Sequence, residues 1–326
     1  MTLPAGRLFV TPEAPSHRDG ERFRNPDGPV PHGWRDFWRW RRSRRPEPWP
    51  EFVEHGVRAD VPAELAAGEL ALTFVNHSTF LAQFAGTALL TDPVWSTRVS
   101  PVRFAGPKRV HAPGVPITVL PRIDAVLVSH NHYDHLDLAT LKQLQSAHTP
   151  LFITGLGNRP LLERAGLTRV LELDWWQTVT SERMSVTFLP AQHWSARGLF
   201  DRNRTLWGGF LVEADGRRLY FAGDTGYGNL FRMVADRLGP PDVAILPIGA
   251  CEPRWFMAGN HMNAADAVRA RADLGAPRTI AMHFGCFPLA DEGIDTPVTE
   301  LHAARAAAGV EPEQFQVPVP GRTWRL

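Results

Sequence analysis

The stretch "SHNHYDHLD", residues 129–137, follows directly on the apolar run "DAVLV" and places three histidines and two aspartates in nine positions. Neither a packed core nor a solvated loop requires that density of imidazole and carboxylate. In extended backbone, residues two apart point the same way, so His130 and His132 can grip one ion. Asp134 and His135 follow as the chain turns toward the helical spacing of "DLATLKQLQ", and can face a second ion. Imidazole and carboxylate suit Zn²⁺, and also Fe or Mn.

One motif cannot fill two metal shells, so further ligands are expected at other strand ends. His193 lies in "PAQHWS", Asp224 in "FAGDTGYG" and His283 in "AMHFG", each behind an apolar strand pattern. Alone, each would read as a hydrogen-bonded structural residue. Together they supply the missing donors from the positions where open sheets present their sites.

Around these residues the chain alternates between two grammars. Hairpin-linked strands come first: "LALTFV", then "FLAQFAGTALL" turning at Gly86, and later "GGFLVEADGRRLYFAGD" turning at Asp215-Gly216. Strands at 151–154, 170–173 and 185–191 lie between them. The last third alternates strand and helix: a helix near 228–237, "VAILPIG", "NAADAVRARADL", "TIAMHFG", and a helix from Val298 to Ala308. Two mixed sheets with helices on their outer faces, an α+β architecture, satisfy both halves. Residues 1–65, rich in Pro, Arg and Trp, read as an N-terminal arm packed on or beside a domain spanning 66–326.

Composition narrows the classes further. The chain of 326 residues is 44% hydrophobic and 21% charged, the balance of an ordinary globular protein. A net charge of +1 gives no sign of a nucleic-acid partner. Two cysteines, Cys251 and Cys286, make no disulfide framework. No signal-peptide core or membrane-length apolar run is read in the sequence, so a cytoplasmic protein is expected, with a peripheral place on a membrane as an extension.

The order "HNHYDH", His193, "GDT", His283 resembles the metallo-β-lactamase superfamily, a four-layer αββα sandwich with a dinuclear site. Longer runs are similar to the N-acyl-phosphatidylethanolamine-hydrolysing phospholipase D family: "LTDPVWSTRVSP", "GPKRV", "IDAVLVSHNHYDHLD", "LELDWW", "LWGGF" and "PIGACEPRWFMAGNH". The resemblance implies two zinc ions per chain. One would be held by His130, His132 and His193, the other by Asp134, His135 and His283, with Asp224 bridging. It also implies that the Asp92 carboxylate would accept from a ligand imidazole and fix its tautomer; a plain turn aspartate before Pro93 is the other reading. His77 stands in "NHST", where the family has Gly-His-Ala-Thr, and is expected, like Asp92, to support the metal ligands from behind. Cys251 and Asn263 are further departures, and leave the metal shell as it is.

The implied reaction splits the phosphate–ethanolamine side of the phosphodiester through a metal-bridging hydroxide, releasing N-acylethanolamine and phosphatidate. Asp224 would position that hydroxide, and His261 would bind the phosphate or assist the leaving group; a helix-capping surface histidine is the competing reading of His261. The alternative is a hydrolase of the same superfamily acting on a lactone or another phosphodiester. The resemblance also suggests a homodimer. Finally, "GWRDFWRWRRSRRPEPW" sets Trp34, Phe37 and Trp38 on one face of a short helix with arginines around them. Two outcomes are open: the aromatics pack onto the catalytic domain, or they seat at lipid-headgroup depth.

Overall fold

A computed structural model describes residues 9–10, 17–28, 32–56 and 59–326. Among the described residues, eight strands form one mixed sheet, seven form a second, and the hairpin Arg18–Asp19/Arg22–Phe23 stands apart. The two large sheets lie face to face with helices outside, the four-layer sandwich expected from the motif. Both faces of the seven-stranded sheet are covered, so every residue of Leu70–Asn76, Thr79–Phe84, Thr87–Thr91 and Ala125–Val128 is buried.

Period-two alternation divides those residues between two cores. Ala125 and Leu127 meet Phe188, Phe210 and Phe221 of the opposite sheet. Val126 and Val128 point the other way, onto Leu141 and Leu144 of the helix Leu138–His148. On the far side, the helices Leu230–Leu238 and Ala264–Leu274 bury Phe231, Val234, Ala267 and Leu274 against the eight-stranded sheet.

Hairpin turns fall where the sequence places them, with Gly86 at φ 74° and the Asp215-Gly216 pair at 50° and 75°. Short pieces carried no pattern of their own. The strand Thr323–Arg325 edges the seven-stranded sheet by pairing with Leu70–Asn76, and Phe315–Gln316 edges the other sheet. Two or three residues show no periodicity, and their partners lie far away in sequence.

The first 65 residues are tied to the rest at several points. Phe9 and Val10 pair with Thr180 and Val179 at an edge of the eight-stranded sheet. His17 contacts Asp174 at 2.6 Å, Arg44 contacts Asp291 at 2.7 Å, and the Trp49 indole donates to the Glu292 carbonyl at 2.9 Å. No helix among the described residues is long and apolar enough to cross a membrane.

Candidate metal centre

All the site residues come from loops at one edge of the sandwich. His77 sits in the turn between Leu70–Asn76 and Thr79–Phe84, Asp92 follows Thr87–Thr91, and His130 follows Ala125–Val128. From the opposite sheet, His193 follows Met184–Leu189, Asp224 follows Arg217–Phe221, and His283 follows Arg278–Met282. Two backbone hydrogen bonds join the sheets there, Gly208 N to Ser129 O at 3.0 Å and His283 N to His77 O at 2.9 Å. The approach is close enough that a Cβ on Gly223 would lie 2.7 Å from the Gly208 carbonyl oxygen and 2.8 Å from the Ser129 Cβ. His77, Asp92 and His283 all adopt left-handed backbone (φ 45°, 34° and 61°), strain of the kind that collects at functional sites.

The motif divides its two aspartates between tasks. Asp137 caps the helix behind it, accepting from the backbone N–H groups of Ala139 and Thr140 at 3.0 and 3.3 Å. Asp134 turns into the site.

There the predicted ligands converge in two clusters. His130 Nε2 lies 2.9 Å from His132 Nδ1, which lies 3.3 Å from His193 Nε2. Asp134 Oδ2 lies 3.4 Å from His135 Nε2 and 3.3 Å from His283 Nε2. Asp224 Oδ2 is 3.2 and 3.0 Å from those same two nitrogens, and 3.8 and 4.0 Å from His193 and His130 Nε2. Tetrahedral ligands at zinc bond lengths sit about 3.3 Å from one another. The donor set fits divalent ions in spacing as well as in type.

Tautomers support the same fit. His130 Nδ1 donates to Ser129 Oγ at 2.9 Å, and that hydroxyl donates to Asp92 Oδ2 at 2.6 Å. His135 Nδ1 donates to the same Asp92 oxygen at 2.6 Å, and His193 Nδ1 donates to the Asn260 carbonyl at 3.0 Å. With protons held at Nδ1, all three rings present Nε2 lone pairs to the clusters. Asp92 thus orients one ring in each cluster, directly and through Ser129. His132 Nε2 and Asp224 Oδ1 are buried with no hydrogen-bond partner among the described residues.

Charge follows the geometry. Burial, then the neighbouring imidazoles, hold His130 far below the ordinary histidine range, and burial lowers His132 to about 4. Burial would raise Asp134 and Asp224, but the His135 charge and hydrogen bonds from the surrounding imidazoles outweigh it and hold both carboxyls well down. Burial works against a charged His283, yet Asp224 and Asp134 raise it to about 9. The buried carboxylates demand positive charge, which divalent ions supply in place of imidazole protons.

His77 and His261 flank the clusters. His77 Nε2 lies 3.2 Å from Asp134 Oδ2, and its ring lies 4.2 Å from that of His283. His261 Nδ1 is 3.9 Å from Asp224 Oδ2, on a side chain that keeps 13% of its surface open. Its loop is pinned by Arg254, which donates to the His261 carbonyl at 2.9 Å and to Asp266 at 2.7 Å. Asn263 provides the following helix cap, so His261 is not the cap.

The chain's matches to known proteins agree with this arrangement. Residues 87–284 match the family described as "Beta-lactamase superfamily domain". This chain belongs to the metallo-β-lactamase superfamily. Membership, with the two clusters, makes the site that of a metal-dependent hydrolase of this fold. An uncharacterized protein of Mycobacterium tuberculosis is 38% identical over 325 residues, covering 95% of this chain and 84% of that one. The N-acyl-phosphatidylethanolamine-hydrolyzing phospholipase D 1 of Caenorhabditis elegans is 38% identical over 228 residues, covering 67% of this chain and 64% of the nematode protein. Among solved structures, a metallo hydrolase from Ignicoccus hospitalis superposes with a TM-score of 0.59 at 21% identity, over 79% of this chain and 98% of that one. That likeness shares the superfamily's fold.

Ser129, Asn260 and Arg254 were not singled out from the sequence. Ser129 adjoins His130 in the motif and was legible there; Asn260 acts through a backbone carbonyl, which no sequence pattern reveals. The departures at Asn76 and Cys251 are buried scaffold positions. Asn76 Nδ2 donates to the Val94 carbonyl at 3.1 Å, and Cys251 is enclosed.

In the arm, the helix Trp34–Ser43 forms as its spacing predicts. The ring that docks onto the domain is Trp40, stacked on Phe256 at 5.1 Å and 10°. Phe37 is half-buried beside it, while Trp38 keeps 54% of its surface exposed. The Trp34 side chain lies outside the described residues.

Proposed function

We propose that the protein is a dinuclear zinc phosphodiesterase of the phospholipase D type, releasing N-acylethanolamine and phosphatidate from N-acyl-phosphatidylethanolamine. The observation that carries the reading is the pair of donor clusters meeting at Asp224, in a chain 38% identical to a nematode enzyme named for that substrate. His130, His132 and His193 would hold one ion and Asp134, His135 and His283 the other, with Asp224 shared between them. Bound there, two divalent ions would polarise a phosphoryl oxygen and activate water at neutral pH.

The chain's own groups orient the reaction. Water's oxygen bonds to phosphorus as the bond from phosphorus to the ethanolamine oxygen breaks. Asp224 aligns the water and receives its proton, and a proton reaches the departing oxygen at the open side of the site. His261 stands on that side, with Nδ1 buried and unpartnered, placed to bond a phosphoryl oxygen or pass that proton. Asp92, Ser129 and His77 keep ligand side chains in orientation.

Presented with N-acyl-phosphatidylethanolamine in detergent micelles, simple lactones and a β-lactam, the enzyme should release N-acylethanolamine with a kcat/KM at least about tenfold above ring opening. A wide margin for lactones would move the protein to the alternative hydrolase class.

A further inference from the structure

The three most exposed large hydrophobic residues among those described are Phe104 (84%), Phe200 (83%) and Leu199 (78%). They occupy two loop tips, and both tips stand beside the ligand-bearing run. Val102 and Arg103 of one tip and Arg197 of the other line a single hollow of about 530 Å³ with Tyr133, the residue between His132 and Asp134.

Both tips are built to hold their shape. The first rises on a short two-stranded stem, with Val99 N bonded to Pro107 O at 3.1 Å and Arg109 N to Thr97 O at 2.9 Å. Across its top Arg98 Nη1 donates to the Gly106 carbonyl at 2.6 Å. Gly106 has φ 96°, and a Cβ there would fall 2.5 Å from the Ser100 Cβ, so the turn requires glycine. In the second tip the Asp201 carboxylate accepts from the backbone N–H groups of Arg197 and Gly198 at 3.1 and 2.9 Å, turning Leu199 and Phe200 outward. Arg197 ties that turn to the metal-ligand loop, donating at 2.8 Å to the carbonyls of Asn131 and Leu136.

The aromatic and aliphatic side chains held out on these thin, pinned loops belong to no apolar cluster among the described residues. Their polar neighbours are cationic. Segment 96–106 carries Arg98 and Arg103 with no acidic residue; segment 196–204 carries Arg197, Arg202 and Arg204 against Asp201, whose carboxylate is engaged in its own turn, while Arg204 pairs with Glu21 at 3.1 Å. Two narrow projections with the exposed Arg103 and Arg202 beside their apolar ends match a compliant anionic interface better than a shaped protein pocket. Apolar tips seat among acyl chains while arginines meet phosphates.

We propose that the tips Val102–Phe104 and Leu199–Phe200 form a docking surface for an anionic lipid bilayer, setting the mouth of the metal centre against the membrane. This rests on the lipid-substrate reading and moves the principal membrane contact from the arm helix to the loops around the site.

The test is co-sedimentation of the metal-loaded protein with vesicles of phosphatidylcholine alone and of phosphatidylcholine mixed equally with phosphatidylglycerol. Neither lipid is the proposed substrate, so binding and substrate choice succeed or fail separately. The protein should pellet with the anionic vesicles and be released by raised salt. The double variant Phe104→Ser/Phe200→Ser should lower partitioning by about tenfold or more, with metal content and turnover of a soluble phosphodiester retained. Trp38→Ala should change partitioning by less than about twofold. The proposal is overturned if the unaltered protein does not bind, or if the double variant binds like it. Loss of binding in Trp38→Ala alone would also overturn it, assigning the anchor to the arm. So would a double variant that changes oligomeric size with vesicle binding intact, because the tips would then cover a second copy of the chain.

Discussion

Asp224 presents Oδ2 to imidazoles of both clusters, with separations from 3.0 to 4.0 Å, while its buried Oδ1 has no hydrogen-bond partner among the described residues. A neutral amide of the same size would keep the packing and lose the charge that two cations share. Asp224→Asn should therefore lower turnover at least about a hundredfold and weaken retention of both ions. Elemental analysis beside a turnover assay checks this, and a variant with full metal and near-normal rate would end the bridging assignment. Residue by residue, the ligand types and positions were legible because each lies at the end of an apolar strand pattern. Asn260 was not, since its carbonyl acts on the far nitrogen of His193, a contact that exists only once the two loops are folded against one another.

Among the elements, the arm helix shows how far spacing reaches. Its period and the following Pro46 predict a short helix, and one forms over Trp34–Ser43. Which aromatic ring docks is a different matter. Trp40 stacks on Phe256 and carries the Arg44 guanidinium at 4.8 Å, while Trp38 lies open. Trp40→Ala should cost about 2 kcal/mol of stability, because a half-buried ring leaves a gap against Phe256. Trp38→Ala should stay within about 0.5 kcal/mol. Thermal midpoints of the two variants compare them, and equal losses would mean that the helix docks through a different face.

At the scale of the whole molecule, the site holds buried carboxylates and imidazoles that face each other with few protons to share. Metal binding and folding are then linked, since ions bound only by the native state stabilise it by about 4 kcal/mol at a free concentration a thousandfold above Kd. The purified protein should carry close to two transition-metal ions per chain, mostly zinc. Chelation should abolish turnover and lower the thermal midpoint by several degrees, and zinc should restore both. Full activity after thorough demetallation would refute the metal-dependent reading.

The sequence by itself determined the candidate donor residues, the strand–helix grammar and the superfamily, because those depend on residue type, on short spacings and on the two- and 3.6-residue periods. The tertiary structure decided that Oδ2 of Asp224 faces both clusters, that Asp92 reaches His135 directly and His130 by way of Ser129, and that Trp40 is the docked ring. It also closed one sheet with Thr323–Arg325 and left Phe104 and Phe200 uncovered beside the site. The physical reason is the same in each case. A period fixes the direction a side chain takes from its own element, whereas its partner is set by packing between segments tens to hundreds of residues apart, which no local pattern encodes.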